Sequence, residues 1–241
     1  MVKTDDIYVP DNFNPYGVEN KYSLDWPAKG SMSKEAEQEL ILRVFGDSIS
    51  TTVDDAVQRW KNNLWLYEDT KALEIKPVDS ISKDDSYTYA VLKSSIEDEN
   101  GDLVTILTTC ETYLVGAAHG LFHVEYLTYD KKKKHIVHLN DLVDTAMLSK
   151  VILQAIRDIP DNRGIYDCMF EEFKTADKIA VPDNFIIDST RSTIYVLYQQ
   201  YDITPYACGI QEVKLPISWL AKHLEFTPYA KKIFRKDKIK K

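Results

Sequence analysis

One dipeptide constrains this chain more than any other feature: Asn100-Gly101, set between two runs of alternating side chains. Tyr87, Tyr89, Val91 and Lys93 alternate with smaller or apolar residues on one side, and residues 103–113 run back on the other. Asn and Gly supply the positive φ angles that a tight hairpin turn demands, so the pattern predicts two antiparallel strands. A second hairpin is expected from residues 122–129 and 136–139, joined by Asp130 and four lysines. β-Branched and aromatic residues recur in these arms, as suits a pleated, half-buried surface.

Ahead of the hairpins the period is helical. Ser33 followed by Glu35, Glu37 and Glu39 gives a cap and an acidic first turn. Leu40, Ile41, Val44 and Phe45 form an apolar stripe, and Gly46 ends the helix. A second helix begins near Thr52 or Asp54, with Ala56, Val57, Trp60, Leu64 and Tyr67 at spacings of three and four. Residues 22–26 alternate and stop at Pro27, which predicts a short strand. Pro10, Asn12, Asn14, Pro15 and Gly17 mark residues 1–20 as an extended, turn-rich lead-in.

Downstream, Met147, Leu148, Val151, Ile152 and Ala155 share one side of a helix expected over 141–156. A brief helix is expected at 170–173, strands at 185–187, 193–198 and 212–215, a loop at 201–209, and a short helix from Pro216 to 224. Helices early and hairpins later give an α+β fold class, antiparallel hairpins packed with helices. A small N-terminal α/β part precedes a larger domain. No βαβ rhythm announces a parallel pair.

Charge narrows the function classes. The net charge is -8, yet residues 231–241 carry seven bases against Asp237, so the tail is +6 and the rest -14. An acidic body argues against a duplex-binding footprint, and no nucleic-acid partner is expected. The tail reads as a frayed, solvated terminus, the alternative being contact with phosphates or anionic lipid. No apolar run approaches the roughly 18 residues of a membrane helix. The three cysteines, Cys110, Cys168 and Cys208, have no zinc spacing. They leave open one disulfide with a spare thiol, or three buried thiols. The polar start, Met-Val-Lys-Thr-Asp-Asp, has no signal-peptide core, which taken literally implies a cytosolic chain.

Two segments are more distinctive. One is Tyr113-Leu-Val-Gly-Ala-Ala-His-Gly120, continued by Tyr129-Asp130, the lysine turn and Leu139-Asn-Asp-Leu142. The other comprises Phe185-Ile-Ile-Asp188, Ile194-Tyr-Val-Leu-Tyr198, Tyr201-Asp-Ile-Thr-Pro-Tyr-Ala-Cys-Gly209 and Val213-Lys-Leu-Pro-Ile217. Together they resemble the RsiV-like extracytoplasmic domain, a domain of unknown function carried by an anti-sigma factor and by bacterial envelope lipoproteins. The departures are Ala117, Asp202, Thr204 and the hairpin lysines, which keep size or charge type. The resemblance implies a companion α/β domain over 21–112, an RsiV-like domain over 113–225 and a basic tail over 226–241. It also implies a bacterial cell-envelope location, periplasmic or lipid-anchored, with any leader trimmed. In the anti-sigma factor the paired domains form a protein-binding ectodomain that recognises lysozyme. No cofactor and no catalytic residues are implied.

The candidate binding residues are His119, Tyr201, Asp202 and Tyr206, with Gly116, Gly120, Pro205 and Gly209 as structural loop positions. Glycines beside His119 allow positive φ and close backbone approach. His119 and the 201–209 loop are expected to be neighbours that pin two ends of the sheet. Metal binding is not expected: His119, His123 and Glu125 on one strand would span about 7 and 14 Å, and His135 and His138 would face opposite sides. Cys208 is expected as a small buried thiol, the alternative being a nucleophile with His119 as base. Adjacent acids such as Asp54-Asp55 and Glu171-Glu172 read as solvent-facing. Tyrosines in loops supply contact area at low entropy cost. The expected function is a non-enzymatic module binding a protein or glycan; the alternative is a hydrolase acting on cell-wall or glycan material through the His119 loop.

Overall fold

The structure, a computed structural model, describes residues 2–9, 18–62, 88–113 and 117–234. The chain divides into two compact units, one of Met1–Ile96 and Leu107–Val124, the other of Glu97–Ile106 and Glu125–Lys241. Among the described residues, helices and mixed sheets alternate in an α+β fold.

In the first unit, β1 (Val2–Val9) pairs antiparallel with β2 (Val18–Asp25), so the lead-in contains a strand. β2 then runs parallel to the start of β3 (Thr88–Asn100), Val18 beside Thr88 and Leu24 beside Ser94. This parallel pair corrects the expectation of purely antiparallel pairing. Parallel neighbours need a long crossover, and residues 26–87 supply it, spacing the two strands too widely for a βαβ rhythm to show. The crossover includes α1 (Lys34–Phe45) and α2 (Val53–Asn62).

The caps of α1 are as expected. Ser33 Oγ accepts from Ala36 N at 3.2 Å, and Gly46, at φ 66°, donates to Leu42 O at 2.8 Å. Leu40, Ile41 and Val44 of α1 are buried, as are Ala56, Val57 and Trp60 of α2. Each of the large aliphatic side chains contributes roughly 1.5–3 kcal/mol by leaving water. Leu64 and Tyr67, expected on the same stripe, lie outside the described residues, as do Tyr87 and Gly116.

The strand order of the larger sheet is β1-β2-β3-β4-β5-β6, with β4 (Leu103–Tyr113), β5 (Leu121–Asp130) and β6 (His135–Val137). Both predicted hairpins form. The first turns at residues 101–102, where Gly101 has φ 64°. The second places Asp130 opposite His135, and Asp130 Oδ1 accepts from the backbone of Lys132 and Lys133 at 2.9 and 2.8 Å.

The second unit also holds an antiparallel sheet, β7 (Phe185–Ile187), β8 (Thr193–Tyr198) and β9 (Gln211–Pro216), with β8 central. The helix expected over 141–156 is two helices, α3 (Leu139–Leu142) and α4 (Leu148–Asp158). Val143 leaves the helical path to bridge Phe226. Val151, Ile152, Ala155 and Ile156 of α4 share one apolar core with Ile194, Val196, Val213 and Leu215. Buried Asn162 ties α4 to β9: its Nδ2 donates to Ala155 O and Lys214 O, and its Oδ1 accepts from Lys214 N.

The chain continues through α5 (Arg163–Cys168), α6 (Glu171–Thr175), α7 (Ile217–Leu220) and α8 (Ala230–Ile233). The tail is not frayed over its first residues. Phe226, Ala230, Ile233 and Phe234 are buried, although Lys231 and Lys232 project outward between them. Among the described residues, no helix is long and apolar enough to cross a membrane.

Candidate functional site

The loop after β8 is built by successive local restraints. Gln199 N donates to Asp202 Oδ2 at 2.7 Å, and Asp202 N donates back to Gln199 O at 3.1 Å. Between them Tyr201 takes φ 71°, a left-handed backbone that a bulky side chain rarely adopts. Such a residue stores about 1–3 kcal/mol of strain and persists only where its surroundings over-determine it.

The surroundings here do so. Tyr201 N donates to Thr204 O at 3.1 Å, and Phe170 N donates to Ile203 O at 3.1 Å. Ile203 and Thr204 are fully buried beneath the loop. Pro205 then opens a 3-10 turn, Tyr206–Cys208. Gly209 ends it at φ 70°, ψ -162°, a region open essentially to glycine alone. Gln211 Nε2 donates to both Cys208 O and Gly209 O. A disulfide joins Cys208 to Cys168 at the end of α5.

The result is a fixed turn that presents aromatic surface. Tyr201 is 52% exposed, and its ring centroid lies 5.9 Å from that of Tyr206, with planes tilted by 33°. Beneath it, Tyr198 is buried and donates to Ala180 O at 2.8 Å. Burial, reinforced by the charge of Asp202, pushes its phenol well above the ordinary tyrosine range.

The disulfide resolves the cysteine question. Cys208 is neither a buried thiol nor a nucleophile, because its sulfur is bonded to Cys168. Cys110 is the free cysteine, and burial raises its thiol pKa, which disfavours the reactive thiolate.

His119 is half-buried, and its Nδ1 sits 2.9 Å from Gly120 O. Gly120 is not in the left-handed region; its role is close approach, since a Cβ there would lie 2.8 Å from Thr112 O. His119 belongs to the first unit, whereas Tyr201, Asp202, Tyr206, Pro205 and Gly209 belong to the second. Gly116 lies outside the described residues. Among the described residues, no three His, Cys, Asp or Glu side chains gather as a metal site.

Sequence reasoning missed one arrangement. His138 Nδ1 is 2.6 Å from Asp183 Oδ2, and Leu139 N donates to Asp183 Oδ1 at 2.9 Å. His138 N in turn donates to Asp141 Oδ2 at 2.9 Å. His138, Leu139 and Asp183 border a cavity of about 320 Å3. A histidine just before a helix start, with aspartate three residues on, was the available signal; Asp183, forty-five positions away, has no local mark.

Comparison with known proteins adds to this picture. Residues 140–218 match the family model described as Protein of unknown function (DUF3298). No curated protein matches. A DUF3298 family member from Bacteroides fragilis NCTC 9343 superposes with a TM-score of 0.61 at 20% identity, covering 95% of this chain and 94% of that one. A DUF3298 family protein from Pseudomonas aeruginosa PAO1 gives 0.57 at 14% identity, with coverage of 95% and 94%. The chain thus shares the α+β fold of these two structures, and its residues 140–218 resemble a domain family of unknown function.

Proposed function

We propose that this protein is a non-enzymatic binding module of the bacterial cell envelope, of the RsiV-like kind, and that the Tyr201–Tyr206 turn is its recognition face. One observation carries the reading: a strained, half-exposed tyrosine paired with a second tyrosine on a loop fixed by a disulfide, a side-chain cap and buried backbone bonds. Aromatic contact area that is ordered before binding loses little entropy on association. The disulfide supports an oxidising compartment. The acidic body, at -14 before its basic tail, favours a partner with a basic surface by steering and complementarity.

The partner class is a protein or a glycan, and the test separates them. Immobilised protein is offered lysozyme, which the resemblance suggests, and soluble peptidoglycan fragments. Binding of either is expected to fall at least about tenfold in Tyr201→Ala/Tyr206→Ala, as truncation of aromatic anchors commonly costs more than 1 kcal/mol each. Binding undiminished in a double variant that melts like the parent would remove the tyrosine face from the account.

A further inference from the structure

The lysine turn is the sequence feature that the tyrosine face leaves unused. The four lysines of residues 131–134 are all exposed, as are Lys231 and Lys232 far along the chain. Tyr229 joins the two groups. Its hydroxyl donates to Asp130 Oδ2 at 2.6 Å, just before the turn, and Lys133 Nζ lies 3.3 Å over its ring. Lys231 and Lys232 follow it on α8, which the buried Ile233 and Phe234 hold in place. Two segments that each read as solvated charge thus meet in one patch of the second unit.

Neighbouring carboxylates do not cancel that charge. Asp130 is engaged by Tyr229 and by the backbone of Lys132 and Lys133, and Glu99 pairs with Lys131. Asp102 stands beside the turn, where its carbonyl accepts from Lys131 N. Among the described residues, Lys132, Lys134, Lys231 and Lys232 have no carboxylate partner. Residues 235–241 add five bases against Asp237.

The residue type points to the partner. Lysine is a compact, hydrated point charge, without the planar fork by which arginine grips a single carboxylate or phosphate. Six of them on an exposed patch suit a surface of many anionic groups more than one bound anion. The Tyr229 ring, flanked by Lys133 and His135, offers no stacking platform to bases. A nucleic acid would also extend past the patch towards a body of net charge -14, whereas a flat bilayer can meet the patch alone.

We propose that this lysine patch docks on the anionic phospholipid headgroups of a bilayer. Docking leaves the tyrosine face free. Arg191, whose Nη1 donates to Ile233 O on α8, precedes β8, and Tyr201 and Tyr206 follow the opposite end of that strand.

Co-sedimentation of the intact chain with lipid vesicles tests this. Vesicles of equal parts phosphatidylglycerol and phosphatidylcholine should carry the chain down, and pure phosphatidylcholine should not. Binding should fade between about 0.1 and about 1 M salt, as the screening length shrinks from about 10 to about 3 Å. Each of Lys132→Gln, Lys134→Gln, Lys231→Gln and Lys232→Gln should weaken it about fivefold. All four positions are exposed, so the fold is kept. Arg163→Gln removes the same charge at the start of α5, whose last residue is bonded to the tyrosine loop, and should change binding less than about twofold. Sedimentation no better with phosphatidylglycerol than without it would overturn the proposal. So would tighter binding to a duplex oligonucleotide at the same salt, or a loss in Arg163→Gln equal to that of the lysine variants.

Discussion

The loop around His119 and the loop from Tyr201 to Gly209 are spelled alike, with glycine and an aromatic or imidazole ring close together, yet they are held by different means. In the first, Gly120 is needed because the backbone passes against Thr112 O, and the ring bonds its own neighbour's carbonyl. In the second, the unusual backbone falls on a tyrosine as well as a glycine, and a disulfide, an aspartate cap and two buried side chains hold it there. Glycine in the first loop serves packing. Strain in the second is held by restraints that fix an exposed tyrosine. The difference teaches that left-handed backbone on a bulky residue marks a loop held by its surroundings, whereas a glycine can mark no more than a close approach of two strands.

That contrast can be broken by experiment. The largest effect is expected from Cys168→Ala/Cys208→Ala. The closed loop spans 40 residues, and releasing it should cost about 4 kcal/mol by the chain-entropy estimate, read as a lower denaturant midpoint. A loss near zero would mean that the loop does not depend on the bond. Next come the two glycines. Gly120→Ala should cost about 1–3 kcal/mol because the new Cβ meets backbone that cannot swing away. Gly209→Ala meets no atom within 4 Å, so its cost, also about 1–3 kcal/mol, is dihedral strain alone. Only Gly209→Ala should weaken partner binding as well.

A smaller change of opposite sign is expected at Thr204. Its hydroxyl is buried with no hydrogen-bond partner among the described residues, so Thr204→Val should stabilise by about 1 kcal/mol in thermal melts. The smallest effect concerns Tyr198 under the loop. Its phenol is raised in the folded chain, so the unfolded chain loses that proton first, above about pH 10. Stability should be whole below that point and fall as pH climbs, and Tyr198→Phe should flatten the decline.

Much of this was legible in the sequence. Asn100-Gly101 announced its hairpin, Ser33 and Gly46 bounded their helix, and Tyr201, Pro205 and Gly209 marked a turn worth watching. Local chemistry wrote those features, and local chemistry can be read. The parallel β2–β3 pair, the Cys168–Cys208 bond and the His138–Asp183 pair were not legible, because each joins residues 40 or more positions apart. Nothing beside Asp183 names its partner. The break at Val143 has no local mark either, and the residue it bridges, Phe226, lies far along the chain.

Hydroxyl-radical footprinting of the chain with and without its bound partner tests the central claim most directly. Tyr201 and Tyr206 should be the aromatic side chains most strongly protected in the complex, with the free protein labelled readily at Tyr201. Equal labelling of both tyrosines in the two states, with protection on another surface, would contradict it.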